Sequence, residues 1–219
     1  MSVTLGEEVM LLSLDDESGV ARGRASAAWA VAGGTLLELV IRDRVRVASG
    51  RVTLTDISPT REGLLDERLH LLGEWARRRR SAKVAEWLAK DQTTSVRATV
   101  SSLCERGLVV EERHRALGLF PVRRYPEADG TVERELRDRL ERVVLHGARP
   151  DDRTSSLIAL LHGARLHGIA FPGVPHKQVE PRMAAIAEGQ WAAGGVRRAI
   201  REMQATMAAV TAATIAACT

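Results

Sequence analysis

The chain has 219 residues, 45% of them hydrophobic and 27% charged, so it can bury a sizeable core in one large domain or two small ones. Aromatic residues make up only 3%, which leaves Leu, Val, Ile and Ala to build that core and favours helices over a β-sandwich. A net charge of +4 and a pI near 9.7 favour anionic partners, nucleic acid or a membrane surface, without choosing between them.

Cys104 and Cys218 stand far apart with no metal-ligand spacing, so no disulfide framework is expected and a reducing cytosol fits. Cys104 lies in an apolar helical run and is expected to be a buried free thiol. Met1–Glu8 lacks a basic region followed by an apolar stretch, so no signal peptide is read there. The Arg-, Ala- and Val-rich composition points to a GC-rich bacterial genome.

In chain order, Thr4 is a helix cap, with Glu7 three positions on as in a capping box, and Val9–Leu12 follow as apolar residues. Asp15–Gly19 breaks this helix as an acidic turn. Ala25–Asp43 is apolar nearly all round and should be a central helix, with Gly33 and Gly34 marking close packing or a kink. Arg44–Val47 and Val52–Thr55 alternate around Ser49-Gly50 as a hairpin.

Ser58-Pro59-Thr60 is a turn, and Leu64–Arg80 returns to helical spacing, ending in the arginine block Arg77–Arg80. Two short helices follow, Ala82–Lys90 and Thr93–Arg106, the second closed by Gly107. Leu108–Pro121 reads as a second hairpin that protrudes, with Leu117, Leu119 and Phe120 at an apolar tip. Helices are then expected over Thr131–Leu145, Ser155–Leu166 (capped by the Asp151–Thr154 segment), Arg182–Glu188 and Trp191–Ala217. The apolar run Met203–Cys218 is too short to span a bilayer and should pack as a terminal helix. No internal repeat or linker interrupts the chain, so residues 1–219 form a single mainly α domain with two short hairpins.

No phosphate loop, dinucleotide fingerprint or nucleophile elbow is present, so the chain reads as a non-enzyme with no cofactor. His162 and His167 are five apart, off the spacing that places two ligands on one helical face; surface or helix-end histidines are expected, and no metal. The two short helices and the second hairpin have the order of a winged-helix module. In it Arg97 and Arg106 would lie on the recognition helix, and Arg113, Arg115, Arg123 and Arg124 on the wing. That recognition helix offers few cations and the wing tip is apolar, which makes nucleic acid the weaker partner. Arginine clusters at Arg77–Arg80 and Arg123-Arg124, with an apolar hairpin tip, suit an anionic membrane surface better.

Five blocks in order carry a family resemblance: Leu5–Leu12 before Asp15–Gly19, Leu36–Arg44, Ser58–Thr60 with Leu64–Glu67, Leu103–Val109, and Arg123–Pro126. Together they resemble the Golgi phosphoprotein 3 family over nearly the whole chain. The resemblance implies a mostly helical single domain with a protruding apolar hairpin used for membrane contact or self-association. It also implies a cytoplasmic, peripherally membrane-associated protein that binds phosphatidylinositol 4-phosphate or related acidic headgroups, with membrane-enzyme clients and a homo-oligomer as further partners. The alternative is an oligomeric interaction adaptor without lipid binding. The headgroup residues expected on this resemblance are Arg97, which matches one of the family's basic positions, Trp29, the nearest tryptophan, and Arg22 and Arg24, which occupy the stretch where the family has its tryptophan, while Ala32 stands where the family has an arginine before a glycine.

Overall fold

Thr4 and Glu7 close the capping box read from the sequence: the Thr4 hydroxyl accepts from the Glu7 N–H, and Glu7 accepts from the Thr4 N–H at 2.6 Å. They start α1 (Leu5–Ser13), every residue of which is buried. The computed structural model describes residues 3–14, 23–116, 120–126, 128, 130–189 and 194–217. Within them α2 (Arg24–Ile41) is the long apolar helix expected, and it packs along α1. Gly34 makes that possible: a Cβ there would lie 2.8 Å from the Gly6 nitrogen and 2.9 Å from the Leu5 carbonyl carbon. The glycine permits backbone to meet backbone, as its place in an apolar helix suggested.

Strands β1 (Val45–Ala48) and β2 (Arg51–Leu54) pair antiparallel, with Val47 opposite Val52. Ser49 and Gly50 between them both have positive φ, 53° and 69°, the backbone that a two-residue hairpin turn requires. Helix α3 (Gly63–Arg77) then runs antiparallel to α4 (Val84–Glu105): Arg68 meets Asp91, and Trp75 stacks on Trp87 at 5.4 Å between centroids.

Helix α4 corrects the expectation of two helices at Ala82–Lys90 and Thr93–Arg106. The polar stretch Asp91–Thr93 contains no glycine or proline, and Asp91 turns inward to a buried arginine, so the helix continues through it. A helix–turn–helix pair, and with it the architecture of a winged-helix module, is therefore not formed.

Strands β3 (Glu112–Ala116) and β4 (Phe120–Arg124) form the second hairpin, paired from Glu112 with Arg124 to Ala116 with Phe120. Its tip residues Leu117 and Leu119 lie outside the described residues. The remaining helices are α5 (Thr131–Val144), α6 (Asp152–Gly163), α7 (His167–Ala170), α8 (His176–Ala187) and α9 (Gly194–Ala217). Asp151 caps α6, accepting from the Thr154 N–H at 2.6 Å. The four residues of α7 carry no periodicity and were not expected. Helix α8 starts well before the predicted Arg182, because Pro181 sits inside it rather than opening it.

One apolar cluster runs from Val3 to Met203, so the core is continuous. At its centre lies a buried ionic network. Glu8 and Glu38, each 2% exposed, share Arg153, which donates to Glu8 Oε1 at 2.9 Å, to Glu38 Oε2 at 2.8 Å and to the Val3 carbonyl. Arg139 approaches Glu8 Oε2 at 2.9 Å, Arg42 donates to Glu38 Oε1 at 3.1 Å, and the Leu5 N–H donates to Glu38 Oε2 at 2.9 Å. Fully buried Glu7 accepts from Arg106 and from the Ser102 hydroxyl. Carboxylates from α1 and α2 thus tie those helices to α4, α5 and α6. Burial still outweighs the two arginines at Glu8 and holds its carboxyl above the usual range.

Candidate functional site

The start of α3 and the second half of α4 enclose an open recess of about 690 Å³. Gly63 and Leu64 open α3 there, and no side chain caps that helix end. Uncapped first-turn N–H groups can serve as donors to an anion. Across from them α4 presents Thr94, Arg97 and Ser101.

Two of the three arginines around the recess are already committed. Arg68, 1% exposed, donates to Asp91 Oδ1 at 3.1 Å and to Glu67 Oε1 at 2.6 Å, while its Nε has no partner. Burial raises the Asp91 carboxyl against the pull of Arg68. Arg106 is held by Glu7. Arg97 differs: it is exposed, and among the described residues no carboxylate stands within ion-pair distance of it. Glu62, Glu67 and Glu105 also line the recess, one carboxylate for each of its three arginines. The arrangement offers Arg97, neighbouring hydroxyls and a helix N-terminus as donors that a phosphate group could accept from.

The other expected headgroup residues come from elsewhere in the chain. Trp29 lies on α2, half-buried against the core, whereas the recess is lined from the α3 and α4 region. Arg22 is outside the described residues, and Arg24 begins α2 with its side chain undescribed. Ala32 is fully buried in the core, so this position supplies no surface donor. Phe120 opens β4, and its side chain is likewise undescribed.

Two features were missed from sequence. Cys104, expected to be buried, is only partly so, and burial with the nearby Glu111 and Glu105 charges raises its thiol pKa. His167 stands at a helix end as expected, opening α7, but it is buried rather than superficial. Its Nε2 lies 3.2 Å from His162 Nδ1, and its ring stacks edge-on to His176 at 4.3 Å. Burial and the neighbouring histidines push His167 down to about 4, and burial also lowers His162. The bend after α6 and the start of α8 bring these rings together, which the i, i+5 spacing alone does not reveal. Among the described residues, no group of three or more His, Cys, Asp or Glu is placed to hold a metal ion.

The described residues thus form a mainly helical domain with a continuous core, two small hairpins and an open recess between α3 and α4. The Golgi phosphoprotein 3 (GPP34) family model matches residues 5–203, and the chain belongs to that family. Among the described residues no helix is long and apolar enough to cross a membrane.

Proposed function

We propose that this protein binds the acidic headgroups of membrane lipids at the bilayer surface, phosphoinositide-type headgroups being the ligands best matched to it, and acts by binding rather than catalysis. The observation that carries the reading is Arg97, an exposed guanidinium with no carboxylate of its own among the described residues, set in a recess beside an uncapped helix start. A phosphate oxygen accepts charge-assisted bonds from a guanidinium at modest desolvation cost. Arg22, Arg24 and Trp29 are carried in this reading as further headgroup contacts near the start of α2. Family membership supports a peripheral role, and the arginine block at the end of α3 adds attraction to an anionic leaflet.

The test is co-sedimentation with vesicles of neutral phosphatidylcholine alone, or mixed with phosphatidylserine, phosphatidylinositol or its 4-phosphate, at low and physiological salt. Binding should require the anionic component, prefer the inositol phosphate at physiological salt, and weaken roughly tenfold in Arg97→Ala, the loss of one charge-assisted contact. Absence of binding to every vesicle, or binding unaffected by Arg97→Ala, overturns the assignment of this recess.

A further inference from the structure

Ile57 is the most exposed large hydrophobic residue among those described, 78% accessible to solvent. Slack chain does not explain it, because the turn around it is pinned on both sides. Asp56 accepts from the Ser58 N–H at 2.8 Å and from the Ser58 hydroxyl at 2.7 Å, and it pairs with Arg44 at 2.8 Å. Arg44 also donates to the Pro59 carbonyl at 3.5 Å. Thr60 donates to Asp66 Oδ1 from its N–H at 2.6 Å and from its hydroxyl at 2.7 Å, fastening the turn to α3. A stiff turn therefore holds an isoleucine out of the core.

Beside Ile57 lies a mostly apolar groove of about 440 Å³, lined by Leu54, Pro59, Leu69 and Ala76 and ending at Arg77. Arg77 and its neighbour Arg78 have side chains 72% and 80% exposed. Glu74 pairs with Arg77, and Glu86 comes within 4.0 Å of Arg79, which also lies over the Trp75 ring at 4.4 Å. Four arginines at Arg77–Arg80 thus face two carboxylates, and the surplus charge is positive. A fixed aliphatic side chain next to surplus guanidinium groups matches the boundary layer of an anionic bilayer. The apolar group gains by leaving water at the hydrocarbon edge, and the cations meet phosphates just above it.

We infer that the Ile57 turn is an interfacial anchor: Ile57 enters the headgroup–acyl boundary of an anionic membrane while Arg77 and Arg78 contact its headgroups. The inference rests on the lipid reading above and adds a second contact. The recess uses Leu64, Glu67 and Arg68 of α3, and the groove uses Asp66, Leu69 and Gly73, so the two flank that helix on opposite sides.

The experiment compares the full-length wild type, Ile57→Ser, Ile57→Trp and Arg97→Ala. Readouts are partition onto phosphatidylcholine–phosphatidylserine vesicles, binding of soluble inositol 4-phosphate, thermal midpoint, and mass by light scattering. Ile57→Ser should lose roughly tenfold of the vesicle partition, as expected for one aliphatic side chain kept in water, with soluble-headgroup binding and thermal midpoint unchanged. Ile57→Trp should gain partition and shift its emission to the blue on vesicles. Wild-type partition in Ile57→Ser, with partition lost in Arg97→Ala, overturns the anchor and leaves the recess standing. Absence of partition by the wild type overturns both. A wild-type dimer that Ile57→Ser converts to monomer without changing partition overturns the anchor in favour of a second copy of this chain.

Discussion

Arg153→Met tests whether the buried ionic network holds the helices together. Among the described residues Arg153 alone joins Glu8 of α1 to Glu38 of α2, and it also holds the Val3 carbonyl. Its removal leaves two carboxylates that are 2% exposed with reduced compensation: Glu8 keeps Arg139, and Glu38 keeps Arg42 and the Leu5 N–H. Breaking a buried pair costs about 3–5 kcal/mol, and the surviving partners place this case near 3. For a chain of this size that lowers the thermal midpoint by roughly 6–12 °C.

The pH dependence supplies a sharper check. The Glu8 carboxyl is already raised by burial, and losing Arg153 removes one of the two charges that lower it. A raised folded-state pKa means stability that is present at low pH and lost as pH rises through that pKa. The deficit of Arg153→Met relative to wild type should therefore be largest at neutral pH and shrink on acidification as Glu8 takes up a proton. Urea unfolding at several pH values, followed by far-UV circular dichroism with the slope m compared between proteins, measures it. A deficit below about 1 kcal/mol, or one that does not change with pH, refutes the argument that these carboxylates depend on Arg153.

Gly34→Ala should destabilise by about 1–3 kcal/mol or more, because the new methyl meets the Gly6 and Leu5 backbone rather than a movable side chain; urea midpoints give the value. His167, pushed down to about 4, stays neutral in the folded protein while the unfolded chain protonates near 6.5, so wild-type stability should fall as pH drops from 6.5 towards 4. His167→Phe should flatten that slope, measured against the same titration with His162, His176, Glu180 and Arg165 left in place. Arg97→Ala and Ile57→Ser should each reduce vesicle partition roughly tenfold while only Arg97→Ala reduces soluble-headgroup binding, a separation read by sedimentation beside calorimetry.

Helix identities were readable where local chemistry and burial agree. Thr4 and Glu7 announce α1, the all-apolar run announces α2, and Ser49-Gly50 announces the first turn. Where a side chain's role depends on a distant partner, the pattern misleads. Asp91 looks like a helix break until Arg68 of another helix is seen to hold it, and Pro181 looks like a helix start although α8 is already under way. The recess was legible only through Arg97. Its other members, Gly63, Leu64 and Ser101, are ordinary residues that gain meaning from the antiparallel placement of α3 and α4. Ile57 carried no sequence signal at all, because an isoleucine in a turn looks the same whether it faces solvent or core.

The complete burial of α1 has a consequence for synthesis. Its partners are α2, α4, α5, α6 and α7, so residues 5–13 are not fully covered until the chain beyond Ala170 is available. At ordinary translation speeds that interval lasts roughly ten to thirty seconds. Over that interval the apolar stretch Val9–Leu12 has only part of its cover on the nascent chain, which offers a ribosome-associated chaperone a site to hold.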